Sequence, residues 1–341
     1  MLNIAVSLPS QAAGTWTLLK QIGVDFAVGG ISLRRKADAE PDEQPWAFSP
    51  LSAAKAAYEA RGISLAVIEA RPPMEKIKLG LPGRDEEIEV CKELLRNMGK
   101  LEIPVWCYTW MPVLGVIRTS ITIPSRGEAS VSGFDHEQLI NQGENPDRPI
   151  RNIDGVPLEE QTKVESVTEE QQWENLKYFL EQVVPVAEEA NVKLAMHPDD
   201  PPLSPIKGVA RIMSSIENYQ KLVDLIPSPM NGIGLCQGNF TLMTDDLPSA
   251  IRQFGEQKKI HFLHIRDVNG TPEKFTEAFH DDGQTNLVEC LRAYRDTGFD
   301  GVGRPDHYPK MGDDSFKDEH RVARLFAVGY IKGLREAVYA E

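Results

Sequence analysis

Short apolar runs alternate with longer amphipathic stretches along nearly the whole chain. The runs fall at Leu2–Leu8, Asp25–Gly29, Ser64–Glu69, Val105–Thr109, Val192–His197, Gly232–Cys236, Ile260–Ile265 and Gly298–Gly303. Most are rich in Val, Ile and Leu without strict polar alternation, the pattern of parallel strands covered on both faces. Helical periodicity fills the gaps: a short stretch at Thr15–Ile22, then Ser49 to about Gly62, Asp85–Met98, Thr168–Ala190, Ser215–Ile226, Leu247–Phe254, Asn286–Thr297 and Glu319–Ala340. Ser49 followed by Pro50 is a ready-made helix start. Eight strand–helix pairs predict one (β/α)8 TIM barrel over residues 1–341, with a doubly wound open sheet as the competing arrangement.

One segment breaks the rhythm. From Gly115 to Val164 the chain carries Ser, Gly, Asn, Asp and Pro clusters with little sustained period. It follows the fourth strand, on the side where barrel enzymes carry their active-site loops. A loop of this length without structure of its own is usually functional, and it is read as a lid inserted in the barrel.

Composition narrows the function classes. The 341 residues carry a net charge of −14 with scattered Lys and Arg, which excludes a basic face for nucleic acid. An anionic substrate would need positive charge local to its pocket. No apolar run is long enough to span a bilayer, and Met1–Pro9 has no signal-peptide pattern. Cys91, Cys107, Cys236 and Cys290 lie far apart with no CxxC, as expected for reduced thiols of a cytoplasmic protein. The expected partner is a small molecule, and a homo-oligomer is compatible with the sequence.

The candidate chemistry sits at strand ends. Strand five ends at His197 before Pro198-Asp199-Asp200-Pro201-Pro202, strand six at Cys236, strand seven carries His261 and His264, and strand eight runs into Arg304-Pro305-Asp306-His307. Singly, each has an ordinary role: a capping histidine, a buried small thiol, a carboxylate bracing Arg304. In a barrel the four strand ends surround one mouth, and His197, Cys236, His264 and Asp306 together make a metal-ligand set. Two imidazoles, a thiolate and a carboxylate suit a divalent first-row metal; affinity order alone favours zinc or copper over manganese or iron. His261 and His264 are expected to share a face, one deep in the barrel and the other at its mouth.

The motifs Cys107-Tyr108-Thr109-Trp110-Met111-Pro112-Val113, Arg118-Thr119, Ala195 to Pro202, Gly234-Leu235-Cys236, His261 to Arg266 and Arg304-Pro305-Asp306-His307 resemble those of the mannonate dehydratases. These are xylose-isomerase-like TIM-barrel lyases that convert D-mannonate to 2-keto-3-deoxy-D-gluconate and water. The resemblance covers most of the chain. It implies that His197, Cys236, His264 and Asp306 hold Mn²⁺ or Fe²⁺, that His307 is a catalytic acid/base, and that Arg118, His261 and Arg266 meet the substrate. There is one departure. Where the family has a catalytic tyrosine shortly before its last helix, this chain aligns Val322, which transfers no proton; Tyr308 and His320 are the nearest stand-ins.

Dehydration of a sugar acid removes the proton beside the carboxylate and expels a hydroxyl from the next carbon. A divalent metal supports the negative charge that develops, and a histidine titrating near neutrality carries the proton. Two alternatives follow from the same residues: a sugar isomerase or epimerase, and a non-catalytic barrel that binds a sugar acid.

Overall fold

The computed structural model describes residues 1–10, 14–142, 151, 166–312 and 319–341. Eight parallel strands close into a barrel: β1 (Asn3–Pro9), β2 (Phe26–Gly30), β3 (Ser64–Glu69), β4 (Val105–Thr109), β7 (Lys193–His197), β8 (Asn231–Cys236), β9 (Ile260–Ile265) and β12 (Val302–Pro305). The order round the ring is β1-β12-β9-β8-β7-β4-β3-β2, so neighbours in the chain are neighbours in the wall. The last strand begins four residues later than its apolar run predicts, because Gly298 adopts φ 71° and turns the chain first.

Each predicted helix is present: α1 (Gly14–Gln21), α2 (Phe48–Glu59), α4 (Arg84–Lys100), α6 (Glu169–Ala190), α7 (Ile216–Leu225), α9 (Leu247–Glu256), α10 (Leu287–Asp296) and α11 (Glu319–Ala340). Their starts are chemically marked. Thr168, Ser215, Asp246 and Asn286 each accept a backbone N–H of the first turn through a side-chain oxygen, which satisfies an otherwise orphaned donor. Inside the barrel, Ala5, Val28, Val105, Cys107, Ala195, Phe262 and Val302 form a small apolar plug beneath the strand ends. The larger cluster lies between wall and helices. Three short helices, α3 (Glu75–Leu79), α5 (His136–Gln142) and α8 (Gln237–Met243), were not anticipated from periodicity.

The segment after β4 departs from expectation. Instead of a loop without structure, its described part holds β5 (Ser120–Pro124), β6 (Ser130–Asp135) and α5. Residues 143–150 and 152–164 of the expected lid lie outside the described residues. β5 and β6 join an unpredicted hairpin, β10 (Val268–Thr271) with β11 (Lys274–Glu277), in an antiparallel sheet ordered β10-β11-β6-β5. Ile117, Phe134, Leu139, Val268 and Phe275 give it a core of its own, which is why short, half-polar strands persist here. Because β10 starts three residues after β9 ends, this sheet stands at the barrel's carboxyl-end mouth. Among the described residues no helix is long and apolar enough to cross a membrane.

Candidate metal centre and active site

Strand register brings the donor side chains to one level. Cys236 pairs opposite His264, His264 pairs opposite Arg304 on the other side, and His197 ends β7 opposite Thr109. His197 Nε2 lies 3.1 Å from His264 Nδ1. Ligand atoms of His197, Cys236 and His264 all fall within 4.8 Å of one another. Asp306 Oδ2 is 3.3 Å from His264 Nδ1. Three of the four residues read as ligands therefore converge, and Asp306 adjoins them through His264.

The ring orientations fit a cation. His197 Nδ1 sits 2.8 Å from the Pro198 carbonyl, which requires an N–H there and leaves a lone pair on Nε2. That lone pair faces His264 Nδ1, so the space between the two nitrogens must hold either a proton or a metal ion. Burial and Arg304 push the His264 pKa down, but Glu69 and Asp306 outweigh them and hold it well above the usual histidine range. Burial likewise pushes the Cys236 thiol up, and Arg266 with the two histidines reverses this to well below the ordinary value. Asp306 is lowered strongly: burial opposes ionisation, and Arg304 overrides it. Glu69, Asp200, Cys236, Glu277 and Asp306 bring formal negative charge, Arg118, Arg266 and Arg304 positive charge. The excess negative charge suits a divalent ion.

His307 stands beside this group, with Nε2 3.5 Å from Asp306 Oδ2 and Nδ1 3.4 Å from Glu277 Oε1. Its backbone is held in the left-handed region at φ 48°, an uncommon state for a residue with a Cβ. About a quarter of its side chain is exposed. Burial pushes its pKa below the ordinary histidine value, against the pull of Glu277 and Asp306. A neutral imidazole with an open edge is competent to accept a proton.

Of the three expected substrate contacts, the two arginines stand at the centre with their donors engaged by the protein, and His261 stands away from it. Arg118 is buried, and all five of its N–H groups are engaged with Asp200, Glu277 and the Ile117 carbonyl. Arg266 is also buried and donates to Cys236, Asp200, Glu277 and Asn239. Both arginines brace the centre from behind, so neither presents a free fork to a carboxylate. Gly238 makes room for this: a Cβ there would lie 2.6 Å from Arg266 Nε. His261 is three positions from His264, an odd spacing that would turn it to the opposite face of a regular strand. The register slips between Ile233↔Ile260 and Gly234↔Phe262, and the ring lies over Gly232 with Nδ1 2.8 Å from the Leu194 carbonyl. Leu194 precedes His197 by three residues, roughly 10 Å of strand. His261 thus sits at the barrel's base, away from the mouth.

Of the stand-ins for the family tyrosine, Tyr308 donates its hydroxyl proton to the Pro305 carbonyl at 3.0 Å, and burial raises its pKa to about 12. Val322 lies on α11, and the side chain of His320 lies outside the described residues. Three acids that sequence reasoning did not single out complete the site. Asp200 was visible in its motif but not as the partner of two arginines. Glu69 ends β3 and Glu277 ends β11, and a lone acid at the end of a run carries no distinguishing signal.

A closed parallel barrel with imidazole, thiol and carboxylate side chains gathered at its strand ends, and a partly open histidine beside them, has the form of a barrel enzyme with a candidate metal site. Comparison makes this specific. A sequence-family model described as D-mannonate dehydratase (UxuA) matches residues 15–341. Mannonate dehydratase of Thermotoga neapolitana is 37% identical over 319 residues, covering 87% of this chain and 88% of that protein. Mannonate dehydratase 2 of Halalkalibacterium halodurans is 34% identical over 327 residues, covering 92% and 90%. The crystal structure of mannonate dehydratase from Streptococcus suis serotype 2 superposes with a TM-score of 0.84 at 28% identity, covering 99% of this chain and 95% of that one. The chain belongs to the mannonate dehydratase family, whose members are metal-dependent hydro-lyases. A D-psicose 3-epimerase from Clostridium cellulolyticum, at TM-score 0.59 and 15% identity, shares the fold alone.

Proposed function

We propose that this chain dehydrates D-mannonate to 2-keto-3-deoxy-D-gluconate, with His197, Cys236, His264 and Asp306 holding Mn²⁺ or Fe²⁺ in a cytoplasmic enzyme. The observation that carries the reading is the convergence of His197, Cys236 and His264, with Asp306 against His264 and His307 beside Asp306. When bound, the ion supplies Lewis acidity for the substrate's oxygens. The protein supplies the rest. Arg266 keeps Cys236 ionised, Pro198 fixes the His197 tautomer, and the sheet β10-β11-β6-β5 walls one side of the mouth.

His307 is assigned both proton transfers. Its imidazole takes the proton from the carbon beside the carboxylate and returns it to the hydroxyl leaving the next carbon, so that water departs and an enol remains. The enol becomes the 2-keto product by losing its hydroxyl proton to solvent while the deoxygenated carbon gains one, so no net proton is consumed. With Val322 at the position aligned to the family's tyrosine, one histidine serving as base and then acid is the economical arrangement. The described part of the segment after β4 covers the mouth as a folded wall, and Arg118 pins it to Asp200 and Glu277.

The test is turnover of Mn²⁺-loaded protein on D-mannonate and a panel of aldonic and uronic acids, with mass detection of product. Loss of one water from mannonate is expected. A product of unchanged mass would replace the dehydratase with an epimerase or isomerase, and no product at all would leave a sugar-acid-binding barrel.

A further inference from the structure

We propose that Glu69 is a positioning residue that orients two ligands of the metal centre at once, His264 directly and Asp306 through Arg304; this rests on the metal reading above. Glu69 ends β3, and β9 lies four places from β3 in either direction round the ring. Strand pairing therefore gives it no reason to meet His264. It does so across the mouth: its Oε1 is 3.2 Å from His264 Nε2, at ion-pair distance though off the ideal hydrogen-bond line. A carboxylate beside that nitrogen favours the proton on Nε2 and leaves Nδ1 to face His197, Cys236 and Asp306. Histidine ligands commonly owe tautomer and ring orientation to such an acid.

The second arm runs through Arg304. Its Nε and terminal nitrogen meet the two Glu69 oxygens at 2.8 and 3.0 Å, a bidentate pairing that fixes the plane of the guanidinium. The remaining terminal nitrogen donates to Asp306 Oδ1 at 2.7 Å, which leaves Oδ2 turned to His264. Rotation of Glu69 would therefore disturb both a ring and a carboxylate. Glu69, Cys107 and His264 also lie within 4.8 Å of one another, a metal-ligand grouping by type. The Arg304 guanidinium already occupies both Glu69 oxygens, and burial pushes the Cys107 thiol far up, so this grouping supports the first centre and does not bind a second ion.

The experiment is a Zn²⁺ titration of the full chain against a chromophoric chelator, with folding checked by thermal melt. Wild type should bind one ion, and Glu69→Gln should bind one roughly 10–100-fold more weakly. In a His264→Ala background, adding Glu69→Gln should cost clearly less than it does alone, because only the arm through Arg304 to Asp306 is then left to lose. If Glu69→Gln fails to fold, Glu69→Asp, which keeps the charge but falls short of His264, takes its place with the same expected loss. Affinity equal to wild type, or a loss that adds in full to His264→Ala, would overturn the proposal. Two ions in wild type with one lost in the variant would make Glu69 a ligand and overturn it as well. A wild type that binds no divalent ion would overturn the metal reading itself.

Discussion

Arg266 donates from Nε to the Cys236 sulfur at 3.2 Å, so the thiolate shares one guanidinium with Asp200 and Glu277. Burial alone would keep that thiol protonated, as it does for Cys91, Cys107 and Cys290. Arg266→Met should return Cys236 to the thiol form, and ion-free protein should lose its ultraviolet thiolate absorbance near neutral pH. Asp200 and Glu277, each left with Arg118 as its remaining cation, should also lower unfolding free energy by about 1.5–3 kcal/mol in a denaturant titration. A thiolate signal equal to wild type would show that the charge is held by something else.

His197→Ala or His264→Ala should each remove most of the divalent ion from purified protein, since an open site tolerates loss of a ligand poorly. Metal uptake by wild type should release the His264 proton into a weakly buffered solution, and affinity should fall as pH falls. Full metal content in both variants, by elemental analysis, would refute the ligand assignment.

For proton transfer, His307→Asn should keep the ion yet lose roughly 10²–10⁴-fold in turnover, the usual worth of a positioned acid or base. Tyr308→Phe should matter little, because its proton already goes to Pro305 and the net value of one such bond is about 1 kcal/mol. A collapse of turnover in Tyr308→Phe with folding intact would transfer the acid role to Tyr308.

Arg118→Met should act on stability rather than on substrate affinity. Asp200 and Glu277 would each lose a partner in the interior, at a cost of about 3–5 kcal/mol. The opposite pattern, a raised KM for mannonate with an unchanged melting temperature, would restore Arg118 as a substrate contact.

His280 offers a pH-linked test of folding. Burial pushes its pKa down to about 4, and its ring donates to the Ile265 carbonyl. The folded chain keeps it neutral while the unfolded chain protonates it near 6.5. Its contribution is thus present above pH 6.5 and is lost as pH falls toward 4, at about 1.4 kcal/mol per pH unit. Asp267, raised to about 6 by burial, works in the opposite sense, so the comparison must be between variants. His280→Gln should show a shallower loss of denaturant midpoint between pH 6.5 and 4.5, and parallel curves would contradict it.

The barrel was legible because strands buried on both faces must be apolar throughout, and because Thr168, Ser215 and Asn286 mark helix starts in the sequence itself. The residues proposed as ligands stood out in the sequence because each falls at or just after a strand's carboxyl end. What could not be read was how charges pair across the mouth. Arg118 and Glu277 are 159 positions apart, and nothing local to either says that they meet. The hairpin β10-β11 is hidden for another reason: Val-Asn-Gly-Thr carries too little apolar signal to stand as a strand alone. The expectation that His261 shares a face with His264 fails on spacing alone: three positions is an odd step along a strand, and His261 stands second in β9, at its amino end.

Glu277 reaches Arg266, Arg118 and His307 only because β11 lies against β6, which the chain supplies from more than a hundred residues earlier. The mouth consequently stands or falls as one piece. A graft that exchanged the segment after β4 for that of another barrel would strip the hairpin of its neighbour and unsettle the histidine assigned to move the proton.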